Sequence, residues 1–322
     1  MKTTAMFRLL IGPALVLMGL WGAGCQSPNR ALIDSAPMIS KHFKDALGRD
    51  VQLARKPRRI VSLAPAITEA LYAIGAGGQV VGRSHMCDFP GEALDLPEIV
   101  TFPDFDLPKV AELDPDLVLA STDIHDARIA PFFERYNIPL AFLDYSSLKS
   151  ILKSIEQIGE MVEAAGPTKA LADSLGRLGI ALADSTKGQI HYRTAILVSA
   201  DPIVIAGKGS YLNELLDMAG AQNAFSDTPG KFPEITAEQL LKAAPDYLLI
   251  ATKDDQLYAN LIALHPEVHL NLPASVQKHI FQIEPQLVLR PGPRIMEGLA
   301  YLIRVLHARI NVDAVFQGNS PE

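Results

Sequence analysis

Residues 147–184 read SLKSILKSIEQIGEMVEAAGPTKALADSLGRLGIALAD. Leu148, Ile151, Leu152, Ile155, Ile158, Met161 and Val162 recur at three- and four-residue spacing, and Leu171, Leu175, Leu178 and Leu182 take the rhythm up again. That period puts the apolar side chains on one face of a helix, and no alternating strand pattern interrupts it. Gly166-Pro167 breaks the run, because proline lacks the N–H that a helix interior needs. The stretch predicts one long connector helix over 147–186, kinked at Pro167.

On either side the pattern changes to short apolar runs alternating with helical segments. Ile60-Val61-Ser62-Leu63, Val80-Val81-Gly82, Leu117-Val118-Leu119-Ala120 and Leu140-Ala141-Phe142-Leu143 read as strands before the connector, and Thr194 to Ser199 restarts the series after it. Such alternation predicts parallel sheets flanked by helices. An internal echo relates the two sides. Glu69-Ala70-Leu71-Tyr72-Ala73-Ile74-Gly75-Ala76 resembles Glu214-Leu215-Leu216-Asp217-Met218-Ala219-Gly220-Ala221, and Pro115-Asp116 before one apolar run matches Pro245-Asp246 before another. Two α/β lobes follow, at 43–146 and 187–308, with a small hairpin turning at Gly48 and a tail over 309–322.

The chain has 322 residues, 48% hydrophobic and 20% charged, enough for two sizeable cores. Its net charge is −7, with no basic run or aromatic-basic stripe, which argues against a nucleic-acid partner. Lys2 and Arg8 precede an apolar run from Leu9 to Leu20, too short for a comfortable membrane span but suited to a signal peptide over 1–24. Gly22-Ala23-Gly24-Cys25 is similar to the lipobox of bacterial lipoproteins, with Gly22 where an aliphatic residue is usual. Acylated Cys25 would then anchor residues 25–42 as a leash to the membrane. Cys25 and Cys87 are the two cysteines, so lipidation leaves no intrachain disulfide.

Several segments together resemble the substrate-binding proteins of bacterial ABC importers for cobalamin, haem and iron-siderophores. They are Asp45-Ala46-Leu47-Gly48-Arg49, Pro57 to Pro65 with Thr68-Glu69, Cys87-Asp88-Phe89-Pro90, Pro115-Asp116-Leu117-Val118 and Arg290-Pro291-Gly292-Pro293-Arg294. The segment Ser84 to Pro90 looks most like the cobalamin branch. The resemblance implies the class III periplasmic binding protein fold, two α/β lobes on one connector helix. It also implies an extracytoplasmic, membrane-anchored monomer that binds a corrinoid, takes no cofactor, catalyses nothing and serves a permease and its ATPase. Haem or a ferric siderophore is the alternative ligand. Glu238 matches the second-lobe carboxylate that docks on the permease, whereas Pro108 stands at the first-lobe position, with Asp106 and Glu112 nearby.

A corrinoid is broad, apolar on its faces and rimmed with amides, so aromatic platforms and a few polar points suit it. Met86, Phe89, Phe102, Phe105 and Phe232 are the candidate surfaces, and His85, Cys87, Asp88 and Arg290 the polar points. No nucleophile-elbow, P-loop or dinucleotide motif is present. The rival reading from another class is an exported metal-dependent hydrolase using His85, Asp88 and His125.

Overall fold

A computed structural model describes residues 41–101, 105–254 and 256–318. The signal segment, Cys25, most of the leash and Phe102 lie outside the described residues. Where the leash was expected to end, strand β1 (Lys41–Lys44) pairs antiparallel with β2 (Asp50–Leu53). Asp45 closes the turn: its carboxylate accepts the N–H groups of Leu47 and Arg49, and Gly48 supplies a φ of +77° that an L side chain rarely adopts.

The first lobe is a five-stranded parallel sheet in the order β5 (Glu98–Ile99), β4 (Val80–Ser84), β3 (Ile60–Ser62), β6 (Leu117–Ser121), β7 (Leu140–Leu143). Every residue of β3, β6 and β7 is buried, as continuous apolar runs covered on both faces require. Burying each such aliphatic side chain contributes about 1.5–3 kcal/mol. The second lobe is a mixed sheet, where only parallel pairing was expected. Its path is β11 (Glu234–Ile235), β9 (Ile203–Ile205), β8 (Tyr192–Ala200), β12 (Tyr247–Ala251), β13 (Ile280–Ile283), and β10 (Ala221–Asn223) pairs with β8. The antiparallel part comes from the tight return at Asp201-Pro202, too short for a helical crossover.

The echo seen in the sequence is a repeated backbone device. Helix Leu107–Glu112 ends in Asp114 at φ 45°, and helix Ala237–Ala243 ends in Ala244 at φ 45°. Pro-Asp follows in each lobe. The Asp116 carboxylate accepts the N–H groups of Arg58 and Arg59, while the Asp246 carboxylate accepts that of Arg193. In return the Arg59 guanidinium donates to the carbonyls of Leu113 and Asp114, and the Arg193 guanidinium donates to Ala243. Each arginine therefore satisfies carbonyls left open at a helix end, and each aspartate fixes the entry of the lobe's central strand.

The connector is two helices, Leu148–Met161 and Ala165–Ser185, in place of the single one expected. Its elbow lies at 162–164, ahead of Pro167. Glu163 takes φ 59° and the Ala164 N–H reaches back 2.8 Å to the Gly159 carbonyl, the six-to-one closure of a Schellman helix end. Pro167 sits in the first turn of the second helix, where an N–H would lack an intrahelical partner anyway. The helices touch at Gly159, where a Cβ would fall 2.0 Å from Thr168 Oγ1. One apolar cluster runs from Leu71 of the first lobe through Ile155 and Leu182 of the connector to Leu216 and Leu299 of the second. The expected tail contributes to it, since helix Val312–Gly318 buries Val312.

Candidate functional site

In the first sheet the chain leaves β3 toward β4 on one side, while β6 pairs on the other. The loops at the carboxyl ends of β3 and β6 therefore flank a topological switch point, where open α/β sheets place their ligands. A cavity of about 620 Å³ opens there. The first lobe lines it with residues that follow β3, β4, β6 and β7, among them Ala64, His85, Met86, Asp123 and Tyr145. The second lobe contributes Tyr211 and Phe232 and residues that follow β12 and β13, including Lys253, Gln286 and Arg290.

Ionic contacts join the lobes on either side of the cavity. Asp88 accepts hydrogen bonds from Arg290 and Gln286, and Arg290 Nη2 also donates to the Met86 carbonyl at 3.1 Å. Burial opposes the Asp88 charge, but the hydrogen bond and charge of Arg290 outweigh it and hold the carboxyl below its ordinary value. Arg294 grips Glu69 with two bonds, Nε to Oε2 at 2.9 Å and Nη2 to Oε1 at 2.6 Å. Between these arginines, Gly292 lies so close to the first lobe that a Cβ would sit 3.2 Å from Ala66 Cα. Opposite, Lys231 pairs with Asp123 and lies 4.0 Å from Asp144.

The sequence candidates divide. His85, Met86, Asp88, Phe232 and Arg290 line the cavity. Cys87 does not: it is fully buried in the first lobe beside Thr68 Oγ1 at 3.1 Å, and burial pushes its thiol up to about 11. Phe89 lies beneath the Arg294 guanidinium, 3.9 Å from its ring centre, and Phe105 packs on His125 at 5.7 Å. Sequence reasoning missed Tyr145, Tyr211, Asp123 and Gln286. Their one legible signal is position, shortly after a strand or at a helix start.

His85 Nδ1 accepts the Thr101 N–H at 3.3 Å, so the neutral ring carries its proton on Nε2. The hydrolase constellation is not assembled: His125 is absent from the cavity lining and buried, and neither ring nitrogen has a hydrogen-bond partner among the described residues. No cluster of three or more metal-ligating side chains occurs among the described residues.

A family model described as periplasmic binding protein matches residues 60–287. An uncharacterized ABC transporter substrate-binding lipoprotein of Bacillus subtilis (strain 168), YvrC, is 30% identical over 315 residues, spanning 93% of this chain and 97% of the relative. A vitamin B12-binding protein of Pectobacterium carotovorum subsp. carotovorum (strain PC1) is 27% identical over 248 residues, 74% of this chain and 85% of the relative. A periplasmic heme-binding protein of Pseudomonas aeruginosa shares the fold with a TM-score of 0.70 at 20% identity, covering 79% of this chain and 94% of its own. The architecture is the class III periplasmic binding protein fold.

Burial, outweighing a backbone interaction with Ser121, pushes the His125 imidazole down to about 4 from an ordinary 6.5. The unfolded chain therefore takes up a proton that the folded chain excludes, and stability falls as pH drops from about 6.5 toward 4. Excluding that proton costs about 1.4 kcal/mol for every pH unit between 6.5 and 4, so the loss by pH 4 is on the order of 3 kcal/mol. Urea melts at pH 7 and pH 4.5 should show this difference shrinking in His125→Leu; an unchanged difference would show that His125 does not carry it.

Proposed function

The chain belongs to the periplasmic binding protein family, and on that premise we propose that it captures a corrinoid of the cobalamin class for an ABC importer. Members of the family bind and deliver; they are not enzymes. The observation that carries the ligand choice is the neutral lining of the cavity. Asp88 is matched by Arg290, Asp123 by Lys231, and Lys253 by Glu284 at 3.8 Å. A trianionic ferric chelate or a porphyrin with two carboxylates would have to take a cation from its acid. A neutral, amide-rimmed macrocycle would not.

Two further features support the same reading. Metal-ligating histidines as a rule donate their second ring N–H to an acceptor. His85 has the opposite arrangement, receiving a backbone N–H on Nδ1 and so offering Nε2–H to a ligand oxygen. Met86, Ile124, Phe232 and Leu289 add apolar surface for the faces of a broad ring. The chain is read as acting as a monomer outside the cytoplasmic membrane, tethered by acylated Cys25 and handing its ligand to a permease and ATPase.

Glu238 is the docking carboxylate in this reading. It is exposed in the first turn of helix Ala237–Ala243, whose N-terminus is closed by a capping box between Thr236 and Gln239, leaving Glu238 free of that task. The helix dipole favours a carboxylate there. At the equivalent point of helix Leu107–Glu112 stands Pro108, and the preceding Asp106 caps the helix through the Lys109 N–H at 3.2 Å. Glu112 lies at the far end, so the second lobe carries more of the docking.

Titration calorimetry with cyanocobalamin and with hemin tests the ligand. Cyanocobalamin should bind, and Phe232→Ala should weaken it by about 1–3 kcal/mol; binding of hemin alone, abolished in His85→Ala, would overturn the choice. Glu238→Arg should bind the ligand as the parent does yet fail in cellular uptake, and normal uptake would remove the docking role. Cys25→Ala should move the protein from the membrane to the soluble fraction, and unchanged membrane recovery would refute the anchor.

A further inference from the structure

Two tyrosines line the cavity, one from each lobe, and both side chains are buried. Their hydroxyls are treated differently. Tyr211 Oη donates to the Val288 carbonyl at 2.9 Å, within its own lobe. The Tyr145 hydroxyl has no hydrogen-bond partner among the described residues, although the residue is 1% exposed. Buried hydroxyls in folded proteins are almost always paired, so an unpaired one on a residue that lines the cavity calls for a function.

The neighbours of Tyr145 are already engaged. The Asp144 carboxylate holds the N–H and hydroxyl of Ser146, and the Asp144 carbonyl takes the Ser154 hydroxyl at 2.7 Å. Thr122 N–H donates to the Leu143 carbonyl at 3.0 Å, which sets the loops after β6 and β7 side by side and brings Asp123 near Tyr145. Asp123 is turned to Lys231. Burial disfavours ionisation of the phenol, with the Asp123 charge adding to it, and because Lys231 is already engaged by Asp123 it is not free to meet a second anion at that corner.

We propose that the Tyr145 hydroxyl is a donor held open for the ligand, and that beside Asp123 it selects an uncharged acceptor, a carboxamide oxygen, over a carboxylate. This deepens the corrinoid reading and rests on it for the identity of the acceptor. The interaction forms only on binding, so the apo protein carries an unpaired hydroxyl that Phe would remove.

The test compares the parent with Tyr145→Phe, using cyanocobalamin and its derivative with one peripheral amide hydrolysed to a carboxylate. The variant should bind cyanocobalamin roughly 10–100-fold more weakly, as loss of one buried hydrogen bond implies, while its apo form melts no lower than the parent. The parent should prefer the amide over the carboxylate, and the variant should lose most of that preference. Equal affinity for cyanocobalamin, or a lowered apo melting temperature with affinity retained, would overturn the proposal. A parent that ignores cyanocobalamin but binds hemin refutes the corrinoid reading separately. In that case the same pair is titrated with hemin: weaker binding by the variant keeps the open donor and discards the amide preference, and equal binding discards both.

Discussion

The ion pair between Glu69 and Arg294 holds the two lobes in register. Glu69 is 3% exposed, and a carboxylate so deeply placed costs several kcal/mol to strand without its partner. Residues 225 positions apart in sequence are therefore bound to stay together. The fork of the guanidinium fixes orientation as well as distance, which a lysine could not do. Around this pair the rest of the interface is arranged: Gly292 admits the close approach, Phe89 lies under the arginine, and Asp88 and Arg290 continue the seam to the cavity. The repeat position of Glu69 is Glu214, whose carboxylate accepts the N–H of Leu148 at the start of the connector. The duplicated glutamates thus tie each half of the molecule to an element outside its own sheet.

A binding protein must open enough to admit its ligand and still present one shape to its transporter. Here the connector helices share a continuous apolar cluster with both lobes, so bending them would disturb packing on two fronts. Large rigid-body swings are disfavoured by that core. The contacts at the cavity margin each keep one side chain open to solvent, Lys231 at 36% against 17% for Asp123 and Asp88 at 40% against 15% for Arg290, and such half-exposed pairs contribute less than a buried one. Breathing at the mouth over a fixed back follows from this division between buried and exposed charge.

The strands and the helix ends were legible because their causes are local. Apolar runs of four or five residues, Pro-Asp before a strand and glycine after a helix act within a few residues of one another. The connector's elbow escaped because Glu163 carries no signature of left-handed backbone, while the conspicuous Pro167 sits where a helix tolerates it. At the site, the strand-end loops could be named in advance but not the direction of each side chain. Met86 and Asp88 face the cavity and Cys87 between them turns inward, the alternation of an extended segment whose parity the sequence does not display. Phe89 and Phe105 looked like platforms by composition, yet each was taken by a neighbour, a guanidinium and an imidazole, that only the fold brings near. The interlobe role of Arg294 depended on a partner more than two hundred residues away.

Cys87 is the lone cysteine among the described residues, fully buried and with a thiol pushed up to about 11. At neutral pH almost none of it is thiolate, the form that reacts. Among the described residues, therefore, no thiolate is presented to maleimides or to passing disulfides. A cysteine introduced on the rim of each lobe would be the reactive group, and a dye pair attached there would report cleft width without first mutating the native residue.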